Sequence, residues 1–509
     1  MVVGSRASTM IQACPRASLA ACPREGLWAV VGVGLGVGLV VGQGLYFRWV
    51  LDDSYITFSY AKNWVEGHGL VFNVGERVEG YTCFLWVVVS ALGLWLGVPI
   101  EPWSWALGIG SAALAVVVAY CLAVELVPRE GRWAAALAAV VVGAYPPLAW
   151  WAASGMETAL FTLLVSVAIW RHVREGAQSS IAPVCLALAS MTRPDGWLVS
   201  GVLCLDALRQ GSWKAGLRYV AIFLAIFGPY YGWRYWYYGY PLPNTFYAKV
   251  GTTAEQVERG WRYLQGFLWE GRGVWLYVAA AVGVALHWRR LWVVGGLIVA
   301  FTASMVVLGG DAFHFYRFFV PLVPLLGALG GAGMGRVFSY GASARAWPRV
   351  SGIALAGGLL WAFCSLLPKQ EAHWREKSFL RTLVRATCQI LRDETQAQDI
   401  VAAGAIGLPK FCSGRRVIDM LGLADRHIAR RELPRLGQGL AGHEKYDNDY
   451  VLAQLPKFIL VPKPDSTSAR LPVLENLWQH PVLRQYYRPD RVGYRRVDRL
   501  SQAAAGQAR

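Results

Sequence analysis

Up to Pro368 the chain alternates long apolar runs with short polar stretches; beyond it the apolar residues thin out. Runs of roughly 17–25 apolar residues can cross a bilayer as helices. The pattern predicts spans at Leu27 to Phe47, Trp103 to Leu126, Trp133 to Trp151, Met156 to Val173, Leu217 to Tyr235, Val274 to Trp288, Leu291 to Leu308, Phe318 to Met334 and Val350 to Leu367. Two shorter segments, Ile181 to Met191 and Trp197 to Leu208, flank Thr192-Arg193-Pro194-Asp195-Gly196. Taken as separate short helices they bring the count to eleven, with their Arg-Pro-Asp-Gly tip at membrane depth. Irregular backbone there is tolerated only where it lines a protein or water-filled cavity.

Charge tests this count. It places in the cytoplasm the loops holding Arg129 and Arg132; Arg171 and Arg174; Arg209, Lys214 and Arg218; Arg289 and Arg290; and Arg336, Arg345 and Arg349. All are basic, as the positive-inside rule requires. Making Cys83 to Leu96 a full span would put those arginines outside, so this run reads as a short interfacial or dipping helix within one external loop, residues 48–101. Residues 1–26, with Arg6, Arg16 and Arg24, read as a cytoplasmic segment before a retained first span.

Composition narrows the class. Of 509 residues 55% are hydrophobic and only 16% charged, against about 25% charged in soluble domains. Cytosolic, fibrous and disordered proteins are excluded. A net charge of +17 could suit nucleic acid, but much of it sits in the short loops where it sets topology, so no nucleic-acid partner is expected. The nine cysteines form no zinc pattern and no disulfide framework; Cys388 and Cys412 could pair in an oxidising compartment.

Residues 27–367 therefore read as a membrane domain and 368–509 as a soluble α/β domain on the external side. The tail predicts a helix from Trp374 to Arg392, then β runs at Asp399 to Ala403, Val417 to Met420 and Phe458 to Val461, alternating with helical stretches. From Pro368 onward 24 Lys and Arg face 15 Asp and Glu, which suits a solvated basic face or an anionic polymer or lipid surface.

The unusual polar clusters gather on the external side. Asp52-Asp53-Ser54-Tyr55 follows the first span directly, where adjacent carboxylates are costly without a purpose. Asp53 or Ser54 could cap the next helix, which explains one of them and leaves the other. Glycines and Asn73 punctuate the loop that continues to Glu79-Gly80-Tyr81-Thr82.

Here the sequence resembles the polytopic GT-C glycosyltransferases that use polyprenyl-phosphate sugars, and within them the terminal arabinofuranosyltransferase family of the mycobacterial cell wall. The resemblance rests on Asp52-Asp53-Ser54-Tyr55-Ile56 through Thr82; Ser154-Gly155-Met156-Glu157-Thr158; Thr192 to Gly196; Leu242-Pro243-Asn244-Thr245-Phe246-Tyr247-Ala248-Lys249; and Gly309-Gly310-Asp311 through Arg317. Ile418 to Leu423 and Gly442-His443-Glu444-Lys445 add to it in the tail. It implies a GT-C-like membrane fold, an acidic residue after the first span acting in glycosyl transfer, a lipid-phosphate donor arriving from the membrane, and inversion at the sugar.

The chemistry asks for the same parts. A sugar leaving phosphate benefits from a carboxylate that takes the acceptor proton and from cations at the phosphate. Asp52 or Asp53 is the candidate base. Arg193, Lys249, His314 and Arg317 are candidate phosphate partners, Arg193 foremost because its planar fork fits phosphate; an internal salt bridge to Asp195 is the alternative. Asn244 and Tyr247 could present a sugar or isoprenoid surface, and Asp311 could hold donor or acceptor. Glu157 could position the acceptor or simply favour a helix start, and Glu79 likewise. Asp311 and His314 lack a full metal ligand set; a divalent cation is compatible with such chemistry and is not required by it. The expected partners are a polyprenyl-phosphate-linked sugar, an envelope glycan, lipid or protein acceptor, and membrane lipids. Rival readings are a transporter of lipid-linked sugar or a noncatalytic envelope factor on the same fold.

Overall fold

In the computed structural model of the protein, which describes residues 23–127, 131–210, 212–251, 253–340, 357–433, 436–462 and 472–497 together with residue 464, the apolar runs become helices. Most of the N-terminal segment, Arg129, Arg345, Arg349 and the first part of the run Val350 to Leu367 lie outside the described residues. Helix Pro23–Tyr46 packs on helix Arg132–Ala144 through small residues. A Cβ on Gly143 would collide with the backbone of Gly36, so only glycine permits this approach, the usual device where helices associate by close packing.

By length and composition four described helices suffice to cross a membrane: Leu27–Tyr46, Ile100–Leu126, Trp288–Val307 and Arg317–Val337. The expected continuous span Trp133 to Trp151 is instead two helices, Arg132–Ala144 and Pro146–Ala152, bent by 57°. Tyr145 at the break is extended, with ψ 108°, because a following proline drives a residue out of the helical region. Phe84–Trp95, Ile181–Thr192 and Gly273–Leu286 are shorter apolar helices. Ile181–Thr192 and Asp195–Arg209 meet at Arg193 and Pro194. Helix Ala254–Trp269, which the apolar runs did not signal, starts at Thr253, whose hydroxyl accepts the N–H of Gln256 at 3.2 Å.

The helices share a polarity. Arg290 donates to the carbonyls of Glu125 and Val173, at the C-terminal ends of Ile100–Leu126 and Thr158–Glu175. Arg174 pairs with Glu125 at 3.1 Å, and Arg218 donates to the carbonyl of Gln178. Thr158, Thr192, Asp195 and Val307 lie at the opposite ends of their helices. Basic residues thus collect at one end of the bundle and the polar clusters of interest at the other.

The tail begins with helix Leu367–Glu394 and carries five strands: β1 Ile400–Ala403, β2 Arg416–Asp419, β3 Phe458–Leu460, β4 Tyr487–Asp490 and β5 Gly493–Arg496. The order is β2-β1-β3-β5-β4, with β1, β2 and β3 parallel and the last two strands joined antiparallel. The β4–β5 hairpin was not foreseen, since Tyr487-Arg488-Pro489-Asp490 and Gly493-Tyr494-Arg495-Arg496 carry few apolar residues. A disulfide between Cys388 and Cys412 ties the long helix to helix Gly407–Ser413. Leu391, Val401 and Phe458 of the tail share one hydrophobic cluster with Tyr60, Phe72, Tyr81 and Trp86 of the loop 48–101, so burial of apolar surface binds tail to loop.

Candidate active site

Beyond helix Pro23–Tyr46 the chain runs extended. Trp49 and Leu51 donate backbone N–H groups to Ala153 and Ser154 at 3.1 and 3.0 Å. This pairing sets the start of helix Asp52–Val65 beside Gly155-Met156-Glu157. Neighbouring helical residues point about 100° apart, and the two aspartates separate accordingly. Asp52 turns to the tail: its carboxylate accepts the N–H of Gly407 at 2.8 Å and of Leu408 at 2.9 Å, at the start of helix Gly407–Ser413. Burial pushes its carboxyl up to about 6, against the lowering pull of those N–H groups. Asp53 lines a cavity of about 340 Å³, and among the described residues its carboxylate has no hydrogen-bond or ion-pair partner.

Around that cavity the two expected arginines are held by carboxylates. The extended residue Arg193 follows helix Ile181–Thr192 and precedes Pro194. It donates through Nε and Nη2 to Asp195 at 2.9 and 2.5 Å, and through Nη1 to Glu157 at 3.1 Å. Arg317 forms an ion pair with Asp311 at 2.8 Å. Both guanidinium groups rest on Phe318, 4.9 and 5.2 Å from the ring centroid. Buried charges persist when paired; here three carboxylates already neutralise two arginines. Lys249, at the end of the short helix Asn244–Lys249, also lines the cavity and has no carboxylate within ion-pair distance among the described residues. Among the described residues the unpaired charges facing the space are therefore one anion, Asp53, and one cation, Lys249.

Four candidates lie elsewhere. Glu79 is buried in a two-point pair with Arg234, 2.9 Å from Nε and 2.6 Å from Nη2, where burial raises its carboxyl and the guanidinium opposes the rise. Asn244 gives its amide to the carbonyls of Gly422, Leu423 and Asp425 at 2.9, 3.0 and 3.1 Å, so it clamps a tail loop instead of a sugar. Tyr247 accepts Lys445 Nζ on its carbonyl at 2.9 Å and carries the guanidinium of Arg430 on its ring. His314 stacks on His373 of the long tail helix, ring centroids 4.0 Å apart, and the partial loss of solvation in that stack, with the second imidazole, lowers its pKa.

The tail closes the cavity. Asp419, at the end of β2, accepts the N–H groups of Leu421 and Ala424 at 2.9 and 2.7 Å, and burial raises its carboxyl to about 7. The turn it fixes carries Leu423 to the cavity wall, where Ala441 joins it. Neither was foreseen, nor were Ser304, Met305 and Leu308 at the end of helix Trp288–Val307, because nothing in an apolar run marks its last turn. Among the described residues no three His, Cys, Asp or Glu side chains group as a metal site.

Residues 371–502 match a family described as a domain of unknown function, DUF8728. Over 256 residues, 45% of this chain and 40% of the relative, the sequence is 28% identical to the terminal beta-(1->2)-arabinofuranosyltransferase of Mycobacterium tuberculosis. The protein of the same name from Corynebacterium glutamicum is 26% identical over 330 residues, 55% of this chain and 47% of that one. The chain thus spans less than half the length of these relatives. ArnT from Cupriavidus metallidurans in the apo state superposes with a TM-score of 0.54 at 14% identity, over 78% of this chain and 86% of ArnT. ArnT bound to undecaprenyl phosphate gives 0.52 at 15% identity, over 77% and 85%. The protein has an ArnT-like GT-C fold, and its sequence is similar to the terminal beta-(1->2)-arabinofuranosyltransferases.

Proposed function

We propose that this chain is a membrane glycosyltransferase moving a sugar from a polyprenyl-phosphate donor to an envelope glycan, lipid or protein acceptor on the external face. The observation that carries this is the pair of unpaired, opposite charges, Asp53 and Lys249, facing one cavity. Asp53 takes the proton of the acceptor hydroxyl; the acceptor oxygen bonds the anomeric carbon from the face opposite the phosphate; the bond from that carbon to the phosphate oxygen breaks with its electron pair going to phosphate. Lys249 meets the charge that develops there. Arg193 and Arg317, already paired, fix the wall and offer their remaining N–H edges, while Asp52 docks the tail. The names of the relatives favour arabinofuranose as the sugar.

An apolar groove of about 410 Å³, lined by Trp197, Cys204, Phe223, Phe227 and Tyr231 among others, shares Trp197 with the cavity. It suits an isoprenoid chain whose phosphate reaches Lys249, and undecaprenyl phosphate bound to the ArnT neighbour supports that donor class. Eleven spans with a cytoplasmic N-terminus put the basic helix ends in the cytoplasm and the cavity and tail outside, in a bacterial inner membrane.

The test is sugar transfer from a panel of radiolabelled polyprenyl-phosphate donors in proteoliposomes, comparing wild type with Asp53→Asn and Asp52→Asn. Transfer lost in Asp53→Asn with donor binding retained supports the reading. Equal transfer by wild type and Asp53→Asn removes Asp53 as base, and donor crossing the bilayer without a new glycosidic bond makes the protein a transporter.

A further inference from the structure

Between the loop 48–101 and the tail lies a second, open cleft of about 800 Å³. Arg77, Arg416, Arg426, Arg430 and Arg431 line it, with Glu76 and Asp425 as its acids. Arg416 is spent on Glu76 at 2.8 Å and Arg431 on Asp447 at 2.7 Å. Asp425 is engaged as well, accepting the hydroxyl of Tyr450 and the N–H of Ile428, each at 3.0 Å. Arg77, Arg426 and Arg430 are left without a carboxylate partner among the described residues, and all three are exposed.

These three guanidinium groups are nevertheless held in place. Arg77 lies over Tyr237 at 4.8 Å, while Arg426 and Arg430 lie over Tyr240 at 5.0 and 3.8 Å. Stacking on an aromatic face orients a guanidinium and leaves its N–H edge open. Arg426 also donates through Nη2 to the carbonyl of Arg77 at 2.8 Å, so the edges of Arg77 and Arg430, with the remaining N–H groups of Arg426, suit oxyanions taken two N–H groups at a time. His427 stacked on Tyr450, centroids 4.2 Å apart, adds a flat face at the same rim.

Every described residue lining the cleft comes from the loop or the tail and none from an apolar helix, which favours a soluble polymer over a lipid headgroup. Its wall is thin toward the catalytic side: Ala424 and Asp425 face the cleft, whereas the preceding Leu423 faces the cavity of Asp53 and Lys249. We infer that this cleft binds the phosphate or carboxylate groups of an anionic envelope glycan, holding an acceptor chain away from the bond being made. The role as acceptor holder rests on the transferase reading; the binding itself does not.

Binding is therefore measured without donor, using the full chain in nanodiscs of zwitterionic lipid. The probes are a fluorescent hexagalacturonate, a phosphorylated mannohexaose and the neutral maltohexaose, with phosphatidylglycerol vesicles as competitor. The two anionic oligosaccharides are expected to bind wild type, each Arg426→Gln and Arg430→Gln replacement to weaken them roughly tenfold, and maltohexaose to bind far more weakly than either. Arg430→Lys keeps the charge and loses the planar stack, so it should recover only part of the affinity. Undiminished binding in both glutamine variants, equal binding of maltohexaose, or full displacement by phosphatidylglycerol vesicles each overturns the inference. Loss of transfer in Asp53→Asn with this binding intact would separate the two sites.

Discussion

The carboxylate of Asp52 accepts the backbone N–H of Gly407 at 2.8 Å across 355 positions of sequence. A Cβ on Gly407 would strike the backbone of Asp52, so the contact needs both residues as they are. Asp52→Ala should cost about 1–3 kcal/mol by leaving buried N–H groups unsatisfied, and Gly407→Ala should undock the helix by collision. Both lower the unfolding temperature. Neither should remove transfer from the molecules that remain folded; abolished turnover in well-folded Asp52→Ala would return Asp52 to the chemistry.

The same contact gives a pH dependence. Burial lifts the Asp52 carboxyl from its ordinary 3.8 to about 6. An acid that holds its proton more tightly when folded contributes fully below about 3.8 and loses that contribution as pH rises through about 6. Wild type should therefore lose stability relative to Asp52→Asn between pH 4 and 7. Asp419 and Glu79 titrate in both proteins and cancel in the difference. Thermal unfolding across that range measures it, and a difference that stays flat counts against the burial of this carboxyl.

Lys249 is reached from the tail as well. A Cβ on Gly442 would approach Lys249 Cε to 2.9 Å, so Gly442→Ala should displace the ammonium without touching it chemically. Lys249→Gln is expected to raise the KM for donor roughly tenfold, the loss of one charge-assisted hydrogen bond, at an unchanged unfolding temperature. Gly442→Ala should move KM in the same direction by less. Donor kinetics unchanged in Lys249→Gln would remove it from the phosphate.

Much of this was legible in the sequence because helices declare themselves locally. The apolar runs, the break at Arg193-Pro194 and the strands at Ile400, Val417 and Phe458 follow from spacing and composition alone. Tyr145 was missed although Pro146-Pro147 stood in plain view, since the run around it is uniformly apolar and its length fits a span. The choice between Asp52 and Asp53 could not be read, because the rotation of their helix is displayed by a contact with Gly407 far along the chain. Glu79 and Asn244 looked like substrate-binding residues for the same reason. Their partners, Arg234 and the carbonyls of Gly422, Leu423 and Asp425, are distant in sequence, and a polar residue with an unseen partner resembles a site.

The pair of Glu79 and Arg234 is a test of that distinction. Taking away one member strands a buried charge, costing about 3–5 kcal/mol, whereas replacing both by apolar residues of similar size is often close to neutral. Glu79→Leu alone should therefore destabilise more than Glu79→Leu with Arg234→Met, even though Arg234 also donates to Tyr240 and Pro241. Unfolding temperatures of the two single variants and the double variant decide it. Additive losses would mean the pair carries no coupling and Glu79 is free to serve elsewhere.

The disulfide between Cys388 and Cys412 bears on which side the tail occupies. Structural disulfides persist in oxidising compartments and are rare in the reducing cytosol, so a tail facing outward should carry the bond in cells. The closed loop spans 24 positions, and releasing it should cost the tail about 3 kcal/mol. Peptide mapping of protein from cells alkylated before lysis should find the two cysteines linked. After reduction of intact spheroplasts, a membrane-impermeant maleimide should label both, while Cys121, Cys185 and Cys204 along the helices stay protected. Free thiols at Cys388 and Cys412 in freshly alkylated cells, beyond reach of that reagent, would place the tail in the cytoplasm. The basic helix ends would then face outward, against the charge rule that orients the whole bundle.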